Sequence, residues 1–221
     1  CMVMVTPDGE RTMQTHLGTS AEISETDIEF DALNDADWLY LEGYLAMSPS
    51  VQQAIAQLKQ QAKDKGVKIA VSFADPAVVK FGREGLDAML EGGVDAVFCN
   101  CDEAQLFTNQ TSHSQAAAAL LSVANMAVVT NGAAGSIIAV RDDVSRETKL
   151  IDVASLPVDQ VLDTNGAGDN FAGSFLYALS HGHALADCGK LASSVASQII
   201  QQFGPRLKPA QYQAILQSTL T

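Results

Sequence analysis

Short apolar runs alternate with helical stretches from Trp38 onward, and this alternation restricts the fold more than any other feature. Trp38 to Glu42 reads as a buried strand, and Ser48-Pro49 opens a helix to about Lys65 with Gly66 at its end. Val67 to Phe73 is the next strand. A shorter helix around Glu84 to Leu90 precedes strand Ala96 to Cys99. Helix Gln115 to Ala124 leads to strand Met126 to Thr130, followed by strands Ser136 to Val140 and Lys149 to Val153. Three helices close the chain: Gly168 to His181, Ala184 to Gln202, and Pro209 to about Ser218. Such alternation predicts an α/β fold, a mostly parallel sheet with helices on both faces in three layers. Ligands bind such sheets at the carboxyl ends of the strands. Asn100, Glu103, Thr130, Gly132 and Asp169 all fall just after predicted strands and are expected to share one rim. Ahead of the alternation, Cys1 to Thr6, the turn Pro7-Asp8-Gly9-Glu10 and Arg11 to Leu17 read as a β-hairpin.

At 221 residues, 47% hydrophobic and 18% charged, the chain is expected to build one domain with a substantial core. Thirteen basic against 26 acidic residues give a net charge of −13. That argues against a nucleic-acid or anionic-membrane surface, since both need a basic footprint. No apolar run reaches the roughly 20 residues that span a bilayer. No basic segment followed by an apolar stretch opens the chain, so a signal peptide is not expected. Four cysteines (Cys1, Cys99, Cys101, Cys188) make no disulfide framework at this length and read as reduced thiols of a cytoplasmic protein. Cys99 and Cys101 have no second pair at zinc spacing. His181 and His183 read as partners of a helix C-terminus or as surface residues.

Val161-Leu162-Asp163-Thr164-Asn165-Gly166-Ala167-Gly168-Asp169-Asn170-Phe171 carries the chemistry. A short apolar strand is expected to feed a small-residue turn that opens a helix. Gly166, Ala167 and Gly168 let backbone N–H groups approach an anion, and the helix N-terminus adds partial positive charge. Asp169 then stands where a phosphoryl group and an incoming hydroxyl would meet. An anionic ligand on so acidic a chain needs compensation from backbone dipoles and a metal ion.

Two further segments stand out. Asn100-Cys101-Asp102-Glu103 places a carboxylate one helical turn after a strand end; on spacing alone it is nearly a capping box. Its hard oxygen donors also suit Mg²⁺ reached through water. Val129-Thr130-Asn131-Gly132-Ala133-Ala134-Gly135 reads as a strand, a polar turn and the start of a second strand. Other motifs fail. Gly182 to Lys190 misses P-loop spacing and has Leu191 where Ser or Thr belongs, and the dinucleotide fingerprint from Gly166 meets Phe171 at its third glycine. There is no nucleophile elbow.

The wording DTNGAGD, with N-x-x-E and V-T-x-G-x-x-G upstream, resembles the ribokinase-like (PfkB) family of sugar and nucleoside kinases. Pro7-Asp8-Gly9-Glu10-Arg11-Thr12-Met13, Leu41-Glu42-Gly43-Tyr44 and Phe73-Ala74-Asp75-Pro76 extend the likeness along the whole chain. Within the family, Gly43-Tyr44 and QQFGPRL look closest to adenosine-kinase-like and related sugar kinases. The resemblance implies a ribokinase-like fold and ATP-dependent phosphorylation of a hydroxymethyl group, with Asp169 as base. The amides of Gly166, Ala167 and Gly168 would form the anion hole. It implies Mg²⁺ organised by Asn100 and Glu103, and nucleotide contacts at Thr130, Gly132, Gly135, Asn165 and Gly204. A monovalent cation, K⁺, would have Asp163, the Asn165 carbonyl and Gly204 as neighbours. Residues 1–18 would belong to the lid and 19–221 to the nucleotide-binding core of a single kinase domain. Family members are longer, so the first βαβ units and most of the lid would precede Cys1. Homodimer formation is open to such chains. The alternative is a non-catalytic nucleotide-binding fragment or pseudokinase acting through interaction.

Overall fold

Proline at its first turn and glycine just past its last set the limits of the first long helix, α1 (Pro49–Lys65), where Gly66 is left-handed at φ 73°. The computed structural model describes residues 1–6, 11–16, 18–142 and 144–220. Strands β1 (Met2–Val5) and β2 (Arg11–Gln14) pair antiparallel, with Met2 opposite Gln14 and Val5 opposite Arg11. The expected turn at 7–10 and Leu17 lie outside the described residues. Residues 18–37, unassigned from the sequence, hold three 3-10 turns at Gly18–Glu22, Glu25–Asp27 and Phe30–Asp35.

Strands β3 (Trp38–Glu42), β4 (Lys68–Ser72) and β5 (Val94–Asn100) run parallel, Trp38 beside Lys68 and Ala70 beside Ala96. Helices α2 (Pro76–Phe81) and α3 (Arg83–Leu90) connect β4 to β5, and α4 (Cys101–Thr108) and α5 (His113–Ala119) follow it. The sheet continues with β6 (Ala124–Thr130), β7 (Ser136–Arg141) and β8 (Thr148–Val153), in spatial order β3-β4-β5-β6-β7-β8. The links 131–135 and 142–147 are too short for crossovers, so the last strands return as hairpins. Helices α6 (Ala167–Ser180), α7 (Leu185–Ile199) and α8 (Pro209–Thr219) complete the chain. This is the mostly parallel α/β sheet expected from the alternation.

The differences lie at short elements. Helices α2 and α4 span six and eight residues, too short for an apolar stripe to repeat convincingly. Their starts were nevertheless signalled locally: Asp75 accepts the Ala77 amide at 2.7 Å with Pro76 behind it. The helix expected over 115–124 stops at Ala119 and tightens into a 3-10 turn at Leu120–Ser122, because Ala124 already belongs to β6.

The chain divides into two compact units, one of Leu17–Val129 with Ala139–Leu150 and one of Cys1–His16, Thr130–Ile138 and Ile151–Thr221. In the first unit Ile69, Val71, Phe73, Leu86, Met89 and Val97 are fully buried. Arg83 ties α3 to α4: its Nε donates to both Asp87 oxygens at 2.9 and 3.0 Å, and Nη1 donates to the Phe107 carbonyl at 3.0 Å. The guanidinium also lies 3.9 Å over the Phe107 ring, which meets Phe73 at 4.8 Å. Arg83→Ala is expected to lower stability by about 1–2 kcal/mol, read by urea unfolding, and Arg83→Lys recovers little of it. In the second unit Phe175, Leu191 and Ile199 are fully buried on α6 and α7. His181 caps the end of α6, stacked on Tyr177 with ring centroids 4.1 Å apart. Among the described residues no helix is long and apolar enough to cross a membrane.

Candidate active site

Residues 154–164 have no regular structure, so Val161-Leu162 is not the strand that the sequence suggested. The adjacent apolar pair Val161-Leu162 is too short to build a ladder; instead the Leu162 amide donates to the Ile200 carbonyl at 2.8 Å, at the end of α7. Asp169 therefore follows an irregular segment, not a strand. Asp163, only 4% exposed, organises this segment. Its Oδ1 accepts from the Asn165 amide at 2.9 Å and its Oδ2 from the Gly204 amide at 3.0 Å. One carboxylate, that of Asp163, thus holds the amides of both Asn165 and Gly204.

Gly166 precedes α6 with φ 74° and ψ 3°. A Cβ there would fall 2.6 Å from the Pro205 Cβ and 2.9 Å from the Pro205 carbonyl oxygen. Glycine is required for both its backbone angle and its size. No side chain caps α6, so its first amides must look elsewhere for acceptors. The Ala167 amide makes a long bond of 3.3 Å to the Thr164 carbonyl. Gly168 and Asp169 are exposed, and nothing lies within 4 Å of where a Gly168 side chain would start. Helix α6 starts at Ala167, one residue before the Gly168 expected from the sequence. Among the described residues, the Asp169 carboxylate makes no hydrogen bond or ion pair. Open amides on a helix N-terminus favour an anion.

Thr130 ends β6, and the next residues form a tight turn: the Asn131 amide donates to the Gly135 carbonyl at 2.7 Å and the Gly135 amide to Gly132 at 3.1 Å. Gly135 is at φ 89°, and a Cβ would sit 2.3 Å from the Val153 carbonyl oxygen. The turn between strands is as the sequence indicated, and its tight approach to β8 explains the second glycine.

Asn100 ends β5 and caps α4. Its Oδ1 accepts the Glu103 amide at 2.8 Å, Glu103 Oε2 accepts the Asn100 amide at 2.9 Å, and Asn100 Nδ2 donates to Glu103 Oε1 at 2.7 Å. The capping box is therefore formed in full. Glu103 is 4% exposed. Burial pushes its carboxyl up to about 7, opposed by the bond from the Asn100 amide and reinforced by the charges of Asp75 and Asp102. A folded protein that holds this proton more tightly than the unfolded chain loses stability as pH rises from the ordinary 4.5 to about 7. Glu103→Gln keeps a capping-box partner and removes the titration. It is expected to abolish a decline on the order of a few kcal/mol across that window, measured by thermal unfolding from pH 4.5 to 8. Among the described residues no three His, Cys, Asp or Glu side chains gather as a metal site.

Three participants escaped the sequence reading. Asp75 stands close enough to Glu103 to raise its proton affinity. Asn170 and Tyr212, which meet across 42 residues, carry no local signal of doing so.

The fold is the ribokinase-like α/β fold. A probable sugar kinase from Rhizobium etli superposes with a TM-score of 0.90 at 35% identity, covering 100% of this chain and 65% of that one. The adenosine kinase of Sinorhizobium meliloti gives 0.89 at 33% identity, covering 98% and 65%. The chain belongs to the pfkB family of carbohydrate kinases, which it matches over residues 1–211. An adenosine kinase from Schizophyllum commune is 28% identical over 94% of this chain and 64% of its own length. The chain thus spans less than two thirds of these relatives.

Proposed function

We propose that these residues form the nucleotide-binding and catalytic part of a kinase transferring phosphate from ATP to a hydroxymethyl group of a sugar or nucleoside. The carrying observation is the uncapped, open start of α6 with Asp169 exposed in its first turn. Asp169 takes the proton of the acceptor hydroxyl as the new O–P bond forms and the ADP oxygen departs. The amides at Gly166, Ala167 and Gly168 face the charge on the transferring group. Phosphoryl transfer needs in-line placement and charge stabilisation above all, and fixed N–H donors contribute several kcal/mol to it.

The remaining roles follow the family likeness. Thr130, Gly132, Gly135, Asn165 and Gly204 line the nucleotide. Glu103 and Asn100 offer hard oxygens that fit Mg²⁺ held through waters and phosphate, since both Glu103 oxygens already accept hydrogen bonds. Bound Mg²⁺ supplies neutralising charge on the phosphates. Asp163, the Asn165 carbonyl and Gly204 suit a monovalent cation such as K⁺. Residues 1–18 belong to a lid on one kinase domain, and a cytoplasmic location and homodimer belong to the same reading.

Transfer from labelled ATP to a panel of nucleosides and sugars, adenosine first, tests the proposal. Phosphorylation of any member supports it. Binding of Mg-ATP with no transfer to any acceptor supports the nucleotide-binding alternative instead. Mg²⁺ dependence is expected to weaken in Glu103→Gln; an effect on melting temperature alone makes Glu103 a helix cap and nothing more.

A further inference from the structure

The start of α6 is joined to the C-terminal segment by a chain of hydrogen bonds whose direction is fixed throughout. Asn170 Nδ2 donates to the Gly166 carbonyl at 2.7 Å and to the Pro205 carbonyl at 2.8 Å. Carbonyls only accept, so the amide nitrogen must face them and Oδ1 must face the other way. The Tyr212 hydroxyl donates to that Oδ1. With its proton so committed, the Tyr212 oxygen is left to accept the Leu207 amide at 3.4 Å. Reversing any one link breaks the next.

The chain acts on the peptide unit that begins the anion loop. The Gly166 carbonyl accepts both the Asn170 amide, at 2.9 Å, and the Asn170 side chain. Two donors on one oxygen fix the plane of the Gly166–Ala167 peptide, which carries the Ala167 amide and leads into that of Gly168. From the other side Asp163 holds Gly204, and Gly166 packs against Pro205. The segment 204–207 is therefore gripped at both ends of the loop.

We propose that Asn170 and Tyr212 are positioning residues for phosphoryl recognition: their clasp sets the orientation of the amides at Ala167 and Gly168. This deepens the reading above and rests on it. The clasp acts on the group those amides face, so it governs the advantage of Mg-ATP over Mg-ADP more than nucleotide affinity in general.

Calorimetric titration of the chain with Mg-ATP and with Mg-ADP, with melting temperature alongside, tests this. Asn170→Ala is expected to reduce the ATP-over-ADP affinity ratio about tenfold and Tyr212→Phe about threefold, the sizes expected for lost hydrogen bonds. The double variant is expected to be no worse than Asn170→Ala, because both break the same chain. A falling melting temperature with an unchanged ratio makes the clasp structural and overturns the proposal. Fully additive losses overturn it too, since they mean two independent contacts. If the unaltered chain binds neither nucleotide, the kinase reading itself has failed, and that result is visible before any variant is made.

Discussion

Asp169→Asn is expected to lower turnover about 10²- to 10⁴-fold, the usual contribution of a positioned base. Mg-ATP affinity is expected to stay within a few-fold. The asymmetry follows from geometry. Asn is isosteric with Asp, and the carboxylate makes no internal hydrogen bond or ion pair among the described residues that the substitution would break. Asp169 lies exposed on the first turn of α6. Its replacement removes a proton acceptor without altering a cap, since α6 has none from any side chain. The loss should therefore appear in kcat, with the melting temperature moving little. An Asn variant with undiminished turnover on an acceptor that the parent phosphorylates would remove Asp169 from the mechanism.

Gly166→Ala is expected to be costly in a different way. Its φ of 74° carries a penalty of about 1–2 kcal/mol for any residue with a Cβ. The new methyl also meets Pro205 at 2.6 Å and its carbonyl at 2.9 Å, and such overpacking typically costs about 1–3 kcal/mol. Relief requires the 204–207 segment to move away, which strains the Asp163–Gly204 and Asn170–Pro205 bonds together. Stability is expected to fall by about 2–5 kcal/mol in urea unfolding, with nucleotide binding lost in parallel. Gly168→Ala is the contrast: nothing lies within 4 Å of the added methyl. Its stability should hold, while anion binding weakens because the methyl intrudes where a ligand approaches. Equal destabilisation by both substitutions would mean that the Pro205 contact does not govern the loop.

Much of the architecture was legible because its signals are local. Pro49 and Gly66 bracket α1 by their own backbone preferences, and β4 and β5 are apolar runs of ordinary length. The capping box at Asn100 needs only residues three apart. Where the reading went astray, the pattern was too short to speak. Val161-Leu162 resembled a strand because apolar pairs usually are part of one; here its amide is taken by the end of α7. The same brevity hid α2 and left α4 readable only through its capping box.

The sequence by itself determined the α/β alternation, the glycine-rich entry to α6 and the presence of one carboxylate in its first turn, since each depends on neighbouring residues and backbone sterics. Tertiary structure alone decided that Glu103 is buried beside Asp75 with its proton held to about 7, because a carboxylate's affinity for protons depends on what excludes water around it. It also decided that Asn170 clasps Pro205 and Tyr212, groups 35 and 42 residues away. A side-chain amide has no preferred distant partner written into it. Only the folded chain places two carbonyls on one side of it and a hydroxyl on the other.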